Sequence, residues 1–290
     1  MNLELDQLRT LAAIVDHGSL DAAARVLHVT PSAISQRLRA LESATGQVLL
    51  VRSRPVRPTP AGAALVRTAR QVELLLADTT EELTGTAADP ARPVLAVAVG
   101  GDSLSTWALP ALAAVADVAS LHVRREDETR TSTLLREGTV VAAVTTEARP
   151  VPGCRVSRLG TMRYRPAAAP AVAERFFPAG VTPAALARAP VVTFDYADDL
   201  QHAYVRRHGR DLDPPSHQVP SSADFLSAIL LGMGWGMVPD LQRIPGLVEL
   251  EPGAELDVPL HLQRWRLDTP SLDRLAEAIV RGARERLVRA

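Results

Sequence analysis

Lysine is absent from the 290 residues, and all 32 basic side chains are arginine. That excludes a phosphate-loop lysine, a Schiff-base lysine and a lysine general base. Cysteine occurs once, at Cys154, so there is no internal disulfide and no multi-cysteine zinc or iron–sulfur site, and a buried, inert thiol is expected. Aromatics make up only 3% of the chain. No apolar run approaches the ~20 residues of a membrane span. The opening MNLELDQLRT is acidic and amphipathic rather than basic then apolar, so no export signal is expected and a cytoplasmic location is. Catalytic signatures are missing too. There is no HExxH or GxSxG, and none of the seven histidines forms a metal-spaced pair. The glycines of GMGWG at 232–236 follow an apolar helix rather than a strand, which favours a helix end over a dinucleotide loop. The expectation is a protein that is not an enzyme and holds neither metal nor cofactor.

What is present is a core-forming chain, 47% hydrophobic and long enough for two or three domains. Its net charge of −1 hides an asymmetry, because residues 1–70 carry nine Arg against five acids, about +4. Within that basic part, GSLDAAARVLHVTPSAISQRLRALE at 18–42 reads as two short helices joined by a tight turn. Thr30 followed by Pro31 is a strong start signal, since an N-cap hydroxyl precedes a residue whose missing N–H would have had no intrahelical partner. Ile34, Leu38 and Leu41 then form one buried stripe, leaving Ser32, Ser35, Gln36 and Arg39 on the opposite face. Ser19 caps the preceding small-residue helix of Leu20, Ala23, Ala24 and Leu27. Together they make a helix-turn-helix candidate, whose second helix would read base edges and phosphates in a DNA major groove. The competing reading is an ordinary helical hairpin with a solvated polar face.

A first helix over residues 3–16 backs this unit, with Leu5, Leu8, Leu11, Ala12 and Val15 at helical spacing. Past Gly46, Val48 to Val51 reads as a short strand followed by Arg52, Arg54 and Arg57, a candidate wing that places Arg52 at phosphate or in the minor groove. Thr59-Pro60 repeats the start signal for a helix from Ala61 to about Leu83, whose apolar stripe suits dimerisation. Residues 84–93 read as a hinge.

From Val94 short apolar strands alternate with helices, the pattern of a parallel α/β fold. Strands are expected at Val94–Val99, Leu121–Arg125, Val140–Thr145, 161–169, Val191–Phe194, Gln218–Pro220 and Leu260–Arg266. The helix after Val99 is expected to break at Pro110. Helices are also expected through Leu134 and Leu135, through Tyr204 and Arg207, from Ala223 to Leu231 and from Leu272 to Val288. The strand ends carry Asp102, Glu126, Asp127, Glu128, Asp195, Asp198 and Asp199, so a cation is the natural guest beyond them. Helix starts near Ser103 and Ser222 suit a carboxylate. A cation plus a carboxylate describes an amino acid, although any one of these acids is also readable as a cap or a solvated loop charge.

The stretches AAARVLHVTPSAISQRLRALE and LLVRSRPVRPTPAG resemble the head, wing and linker start of the LysR-type transcriptional regulators. DSLSTWALPAL, EDETRTSTLLREGTVVAAV and PVVTFDYADDL look like the family's ArgP/LysG (IciA-like) branch. The resemblance implies a winged helix-turn-helix at 1–58, a linker and dimerisation helix at 59–85 and a hinge at 86–93. It further implies a two-lobed effector domain like a periplasmic binding protein, with lobe I at 94–162 and 265–290 and lobe II at 163–264. DNA contacts would fall on Thr30, Ser32, Ser35, Gln36, Arg37, Arg39 and Arg52. Many family members have Gln where this chain has Pro31, which implies a different operator preference. The effector, a basic amino acid such as lysine, arginine or histidine, would sit near Asp102, Ser103, Trp107, Thr129, Thr145, Asp195, Asp198 and Ser222. Promoter DNA, a homodimer or homotetramer and RNA polymerase are the implied partners, with no membrane. The runner-up is a regulator of the same type with another cationic or amino-acid-like effector. A solute-binding protein is a distant alternative.

Overall fold

The computed structural model describes residues 3–51, 53–84, 93–127, 130–195, 198–242 and 244–289. The expected hinge at 86–93, Arg52 and Thr129 fall wholly or mostly outside these residues. Among the described residues no helix is long and apolar enough to cross a membrane. The contacts divide the chain into two units, one of residues 1–99, 112–157 and 262–278, the other of 100–111, 158–261 and 279–290.

The first unit opens with helices α1 (Leu5–His17), α2 (Leu20–Val26) and α3 (Pro31–Thr45). Both sequence start signals operate as expected: the Ser19 hydroxyl accepts from the Ala22 N–H and the Thr30 hydroxyl from the Ala33 N–H, each at 3.2 Å. Gly46, with φ +66, ends α3 in the left-handed conformation a C-terminal glycine favours. Leu11, Ile14, Ile34 and Leu41 are wholly buried in the head's core. Each contributes roughly 1.5–3 kcal/mol by leaving water. The wing is shorter than expected: β1 (Leu50–Val51) and β2 (Arg57–Pro58) pair antiparallel over two residues each. Helix α4 (Pro60–Thr84) follows, closing the head core with Val66 and Ala69.

In the same unit, β3 (Val94–Val99) lies between parallel neighbours β4 (Ser120–Arg125) and β5 (Ala142–Thr145). Helix α4 is seated on this part of the unit. Arg67 Nη1 donates to the Arg136 carbonyl at 3.1 Å, Arg70 donates to the Gly138 carbonyl and ion-pairs with Asp16, and Ser271 donates to Asp78 at 3.1 Å. Gly138 has φ +71, and a Cβ there would sit 2.8 Å from Arg67 Cβ and 2.9 Å from its Cα. Only glycine permits so close an approach of the two backbones.

The helix after β3 does not break at Pro110. It runs as α5 (Gly101–Ser103), a π-helical stretch (Leu104–Ala108) and α6 (Leu109–Ala113). Proline removes one i→i−4 donor and crowds the carbonyl four residues back, and the widened turn ahead of it accommodates both effects. The short α7 (Thr131–Arg136) leads to β5. Cys154 is buried in the first residues of β6 (Cys154–Ala168), a strand of 15 residues where the sequence suggested only 161–169. Exposed Arg155, Ser157 and Arg158 hide its early part from a hydropathy reading.

In the second unit β7 (Val191–Thr193) pairs parallel with β8 (Ser216–Gln218) and β9 (Trp235–Pro239), β6 pairs antiparallel with β9, and β10 (Val248–Glu249) pairs antiparallel with β6. Helices α8 (Pro170–Phe176), α9 (Pro183–Leu186), α10 (Leu200–His208) and α11 (Ser222–Leu230) connect them. The GMGWG segment ends a helix as expected, with Gly232 at φ +84, but it then opens β9, a strand the sequence did not suggest. Strand β11 (Leu256–Trp265) and helix α12 (Pro270–Arg286) complete the chain. Residues 100–111 and 279–290 belong to the second unit. The two segments pack closely there: a Cβ on Gly282 of α12 would stand 2.7 Å from Ala111 Cβ.

Candidate functional site

The head presents one polar surface on α3. Steps of about 100° per residue bring Ser32, Ser35, Gln36 and Arg39 onto one arc, opposite Ile34, Leu38 and Leu41. Ser32, Gln36 and Arg39 are exposed, and Ser35 is half-buried. Local hydrogen bonds set this face. Thr30 and Ser32 hydroxyls lie 2.9 Å apart, Ser35 Oγ donates to the Pro31 carbonyl at 3.0 Å, and Arg39 Nε donates to the Ser35 carbonyl at 3.1 Å. Arg37 departs from the expectation. It sits beside the buried stripe and ion-pairs with Asp6 of α1 at 3.1 Å, so it braces the helix pair rather than joining the polar arc. Arg52, the wing candidate, lies outside the described residues.

In the second unit the acids at the strand ends divide by role. Asp102 Oδ2 accepts the Tyr164 hydroxyl at 3.1 Å. Asp198 accepts the Phe194 N–H at 2.9 Å and the Leu200 N–H at 3.2 Å, and bonds the Gln201 side chain. Asp195 Oδ1 accepts the Asp198 N–H at 3.1 Å and so shapes the loop between β7 and α10. Burial pushes the Asp198 carboxyl above the ordinary carboxylate range; hydrogen bonds from Phe194 and Leu200 oppose that, and the Asp102 charge adds to it. Two carboxylates close enough to repel, one of them largely desolvated, favour a cation between or beside them. Asp199 is not part of this pair. Arg206 holds it through bonds of 2.9 and 2.6 Å and keeps its carboxyl below the ordinary range.

Ser103 is wholly buried in α5. Trp107 is 1% exposed, so neither ring face is open to an effector, and its indole N–H meets no acceptor among the described residues. Ser222 is 6% exposed and its hydroxyl has no partner among the described residues, while its neighbour Ser221 supplies the α11 cap. Thr145 belongs to the first unit, where its buried hydroxyl accepts the Glu147 N–H at 3.1 Å. Asp127 opens α7 through its carbonyl, which accepts from Arg130 at 2.8 Å and Thr131 at 3.1 Å. Glu128 and Thr129 lie outside the described residues. Among the described residues no three His, Cys, Asp or Glu side chains gather to hold a metal.

Two members of the acid cluster escaped the sequence reading. Gln201 stands in the first turn of α10 just beyond β7, where the strand-end rule applies to amides as much as to acids. Tyr164 sits mid-strand, 62 residues from Asp102, with no local signal to mark it.

Known proteins share both halves of this architecture. Residues 5–63 match the bacterial regulatory helix-turn-helix protein, lysR family, and residues 88–286 match the LysR substrate binding domain. The lysine export transcriptional regulatory protein LysG of Corynebacterium glutamicum is 42% identical over 296 residues, spanning 97% of this chain and 98% of that one. The crystal structure of ArgP from Mycobacterium tuberculosis aligns with a TM-score of 0.86 at 42% identity, covering 100% of both chains. Full-length LysG from C. glutamicum with bound effector Arg aligns with a TM-score of 0.79 at 40% identity, covering 99% of this chain and 100% of that one. By these matches, which span the polar α3 face and the acid cluster alike, the chain belongs to the LysR family of bacterial helix-turn-helix regulators.

Proposed function

We propose that this chain is a DNA-binding transcriptional regulator that senses a basic amino acid, lysine, arginine or histidine, and controls genes of amino-acid export or biosynthesis. The observation that carries the reading is the acidic pair Asp102 and Asp198 in a chain 40% identical, over 99% of its length, to a LysG bound to arginine. Two carboxylates supply the charge a cationic side chain needs, and Ser103 and Ser222 stand at helix starts suited to its α-carboxylate. The α3 face of Ser32, Ser35, Gln36 and Arg39, with Thr30 at its cap, reads promoter DNA, and Arg52 on the wing grips the backbone. Exposed Leu75, Leu76 and Leu83 on α4 support a homodimer or a homotetramer built from it, which would set two heads on spaced half-sites.

In this reading the protein works in the cytoplasm, needs no cofactor and performs no catalysis. Its output is an altered DNA geometry or contact with RNA polymerase. Regulation requires that the effector bind one arrangement of the assembly more tightly than another. A gel-shift titration on the upstream region of an amino-acid exporter gene tests this, with and without each basic amino acid. A shift in affinity or complex mobility caused by a basic amino acid and not by leucine supports the proposal. Unaltered binding with all of them contradicts it.

A further inference from the structure

Arg70 ties together three parts of the first unit. Arg67, Arg70, Leu74 and Asp78 recur at spacings of three and four, so they share one face of α4. On that face Leu74 and Asp78 are buried, and the Arg70 side chain is 15% exposed. Arg70 Nη1 donates to the Gly138 carbonyl, in the turn between α7 and β5, while Nη2 ion-pairs with Asp16, in the last turn of α1. A planar guanidinium with five donors in a fixed fork holds two acceptors in a set geometry, which a point-charge ammonium does not. The head and the α7–β5 turn are thereby fastened to one side chain.

That turn is itself fixed to the end of β5. Buried Thr131, the first residue of α7, donates from its hydroxyl to the Val144 carbonyl at 2.9 Å. Arg136, the last residue of α7, ion-pairs with Glu147 at 3.1 Å, and the Glu147 N–H donates to the Thr145 hydroxyl at 3.1 Å. Strands β3 and β5 are parallel neighbours, so Thr145 ends its strand at the same sheet edge as Val99, the edge beyond which ligands bind in such sheets. At the opposite end of this set of contacts, Asp16 belongs to α1, whose Leu11 and Ile14 share the head's core with Ile34 and Leu41 of α3. Close-packed parts of this kind reposition as blocks rather than deform.

Resting on the effector reading above, we propose that Arg70 couples the effector to the DNA-binding head: displacement of the β5 end on effector binding moves the α7–β5 turn, and Arg70, holding Gly138 and Asp16 together, carries that displacement to α1 and the polar face of α3. Arg70 acts through these two partners and contacts neither ligand.

Gel shifts and calorimetry of the full chain test this on the parent, Arg70→Met, Asp16→Ala and Asp268→Asn, with lysine and arginine as probes. The quantity read is the effector response, the change in DNA affinity or complex mobility that the amino acid causes. Arg70→Met and Asp16→Ala should bring the ratio of DNA affinities with and without amino acid to within about twofold of one and remove any mobility change. Free of DNA, both should still bind lysine and arginine within about threefold of the parent. Asp268→Asn, which breaks the Arg155 pair at 2.9 Å elsewhere in the unit, should respond as the parent does. Asp16 is 40% exposed, so Asp16→Ala keeps the test decisive even where Arg70→Met fails to fold, and parent-like melting temperatures identify the folded variants. Parent-like responses in the folded variants would overturn the coupling role and leave the effector reading intact. An equal loss of response in Asp268→Asn would overturn it too, since removal of any surface charge would then suffice. Loss of lysine and arginine binding by the DNA-free variants would also overturn it, by making Arg70 a support of the effector site. A parent without a response would overturn this proposal together with the effector reading.

Discussion

Gly138→Ala should destabilise the protein well beyond the usual cost of a surface substitution. Two terms add. At φ +71 an alanine is strained by roughly 1 kcal/mol relative to glycine. Its methyl would also stand 2.8 Å from Arg67 Cβ, 2.9 Å from Arg67 Cα and 3.0 Å from Arg67 N, atoms of α4 that no rotamer change moves. Forcing that helix aside costs a further ~1–3 kcal/mol and weakens the bonds from Arg67 to the Arg136 carbonyl and from Arg70 to the Gly138 carbonyl. The sum is about 2–4 kcal/mol. Gly153 is the internal control: its φ is +82 but nothing lies within 4 Å of its added Cβ, so Gly153→Ala carries only the conformational part. Urea unfolding of the full chain, followed by circular dichroism, measures both. Equal losses in the two variants would refute the close seating of α4 on the 136–138 turn.

Gln36→Ala and Arg39→Ala should lower promoter affinity, and if Arg39 touches phosphate its variant also flattens the salt dependence by about one counterion. Arg37→Ala should leave gel shifts unchanged and match Asp6→Ala in stability, each losing at most about 1 kcal/mol, because the pair is partly exposed. Thr30→Ala removes the α3 cap and should cost about 1 kcal/mol, read by thermal melting. Burial holds the Asp198 carboxyl high, so its neutral form persists to higher pH than an ordinary aspartate's. Its stabilising contribution is present below the unfolded pKa and is lost as pH rises through the folded one. Cation binding, which needs the ionised form, should strengthen over that same rise and release protons, measured as heats that vary with buffer ionisation enthalpy. Asp198→Asn should abolish the release. Burial also lifts the Cys154 thiol to about 11, so a disulfide reagent should label it only after unfolding.

Legibility in the sequence followed the range of each signal. Ser19, Thr30, Pro31 and Gly46 act within four residues, and the helices they bound fall where expected. Pro110 misled because the π-helical stretch that absorbs it leaves no mark in composition. Strand β9 is masked in the sequence by the glycines before and within it. Gly234 is required where a Cβ would meet the Pro190 carbonyl oxygen at 2.4 Å, and Gly236 where one would meet the Ile229 and Phe225 side chains, so those glycines answer to packing and not to a turn. At the acid cluster, position after a strand revealed Asp195 and Asp198, which the structure then separates from Asp199 by its bonds to Arg206. Tyr164 and Gln201 needed three-dimensional contact to be seen, since each acts through a partner's carboxylate. The family resemblance implies a DNA contact at Arg37, whereas helical phase puts it beside the buried stripe, where it pairs with Asp6.

The most direct test is a calorimetric titration of the purified full chain with lysine, arginine, histidine and leucine. The account predicts saturable binding of at least one basic amino acid and none of leucine, with the binding lost in Asp198→Asn. Leucine binding as well as the basic amino acids, or no binding by any of them, would contradict it.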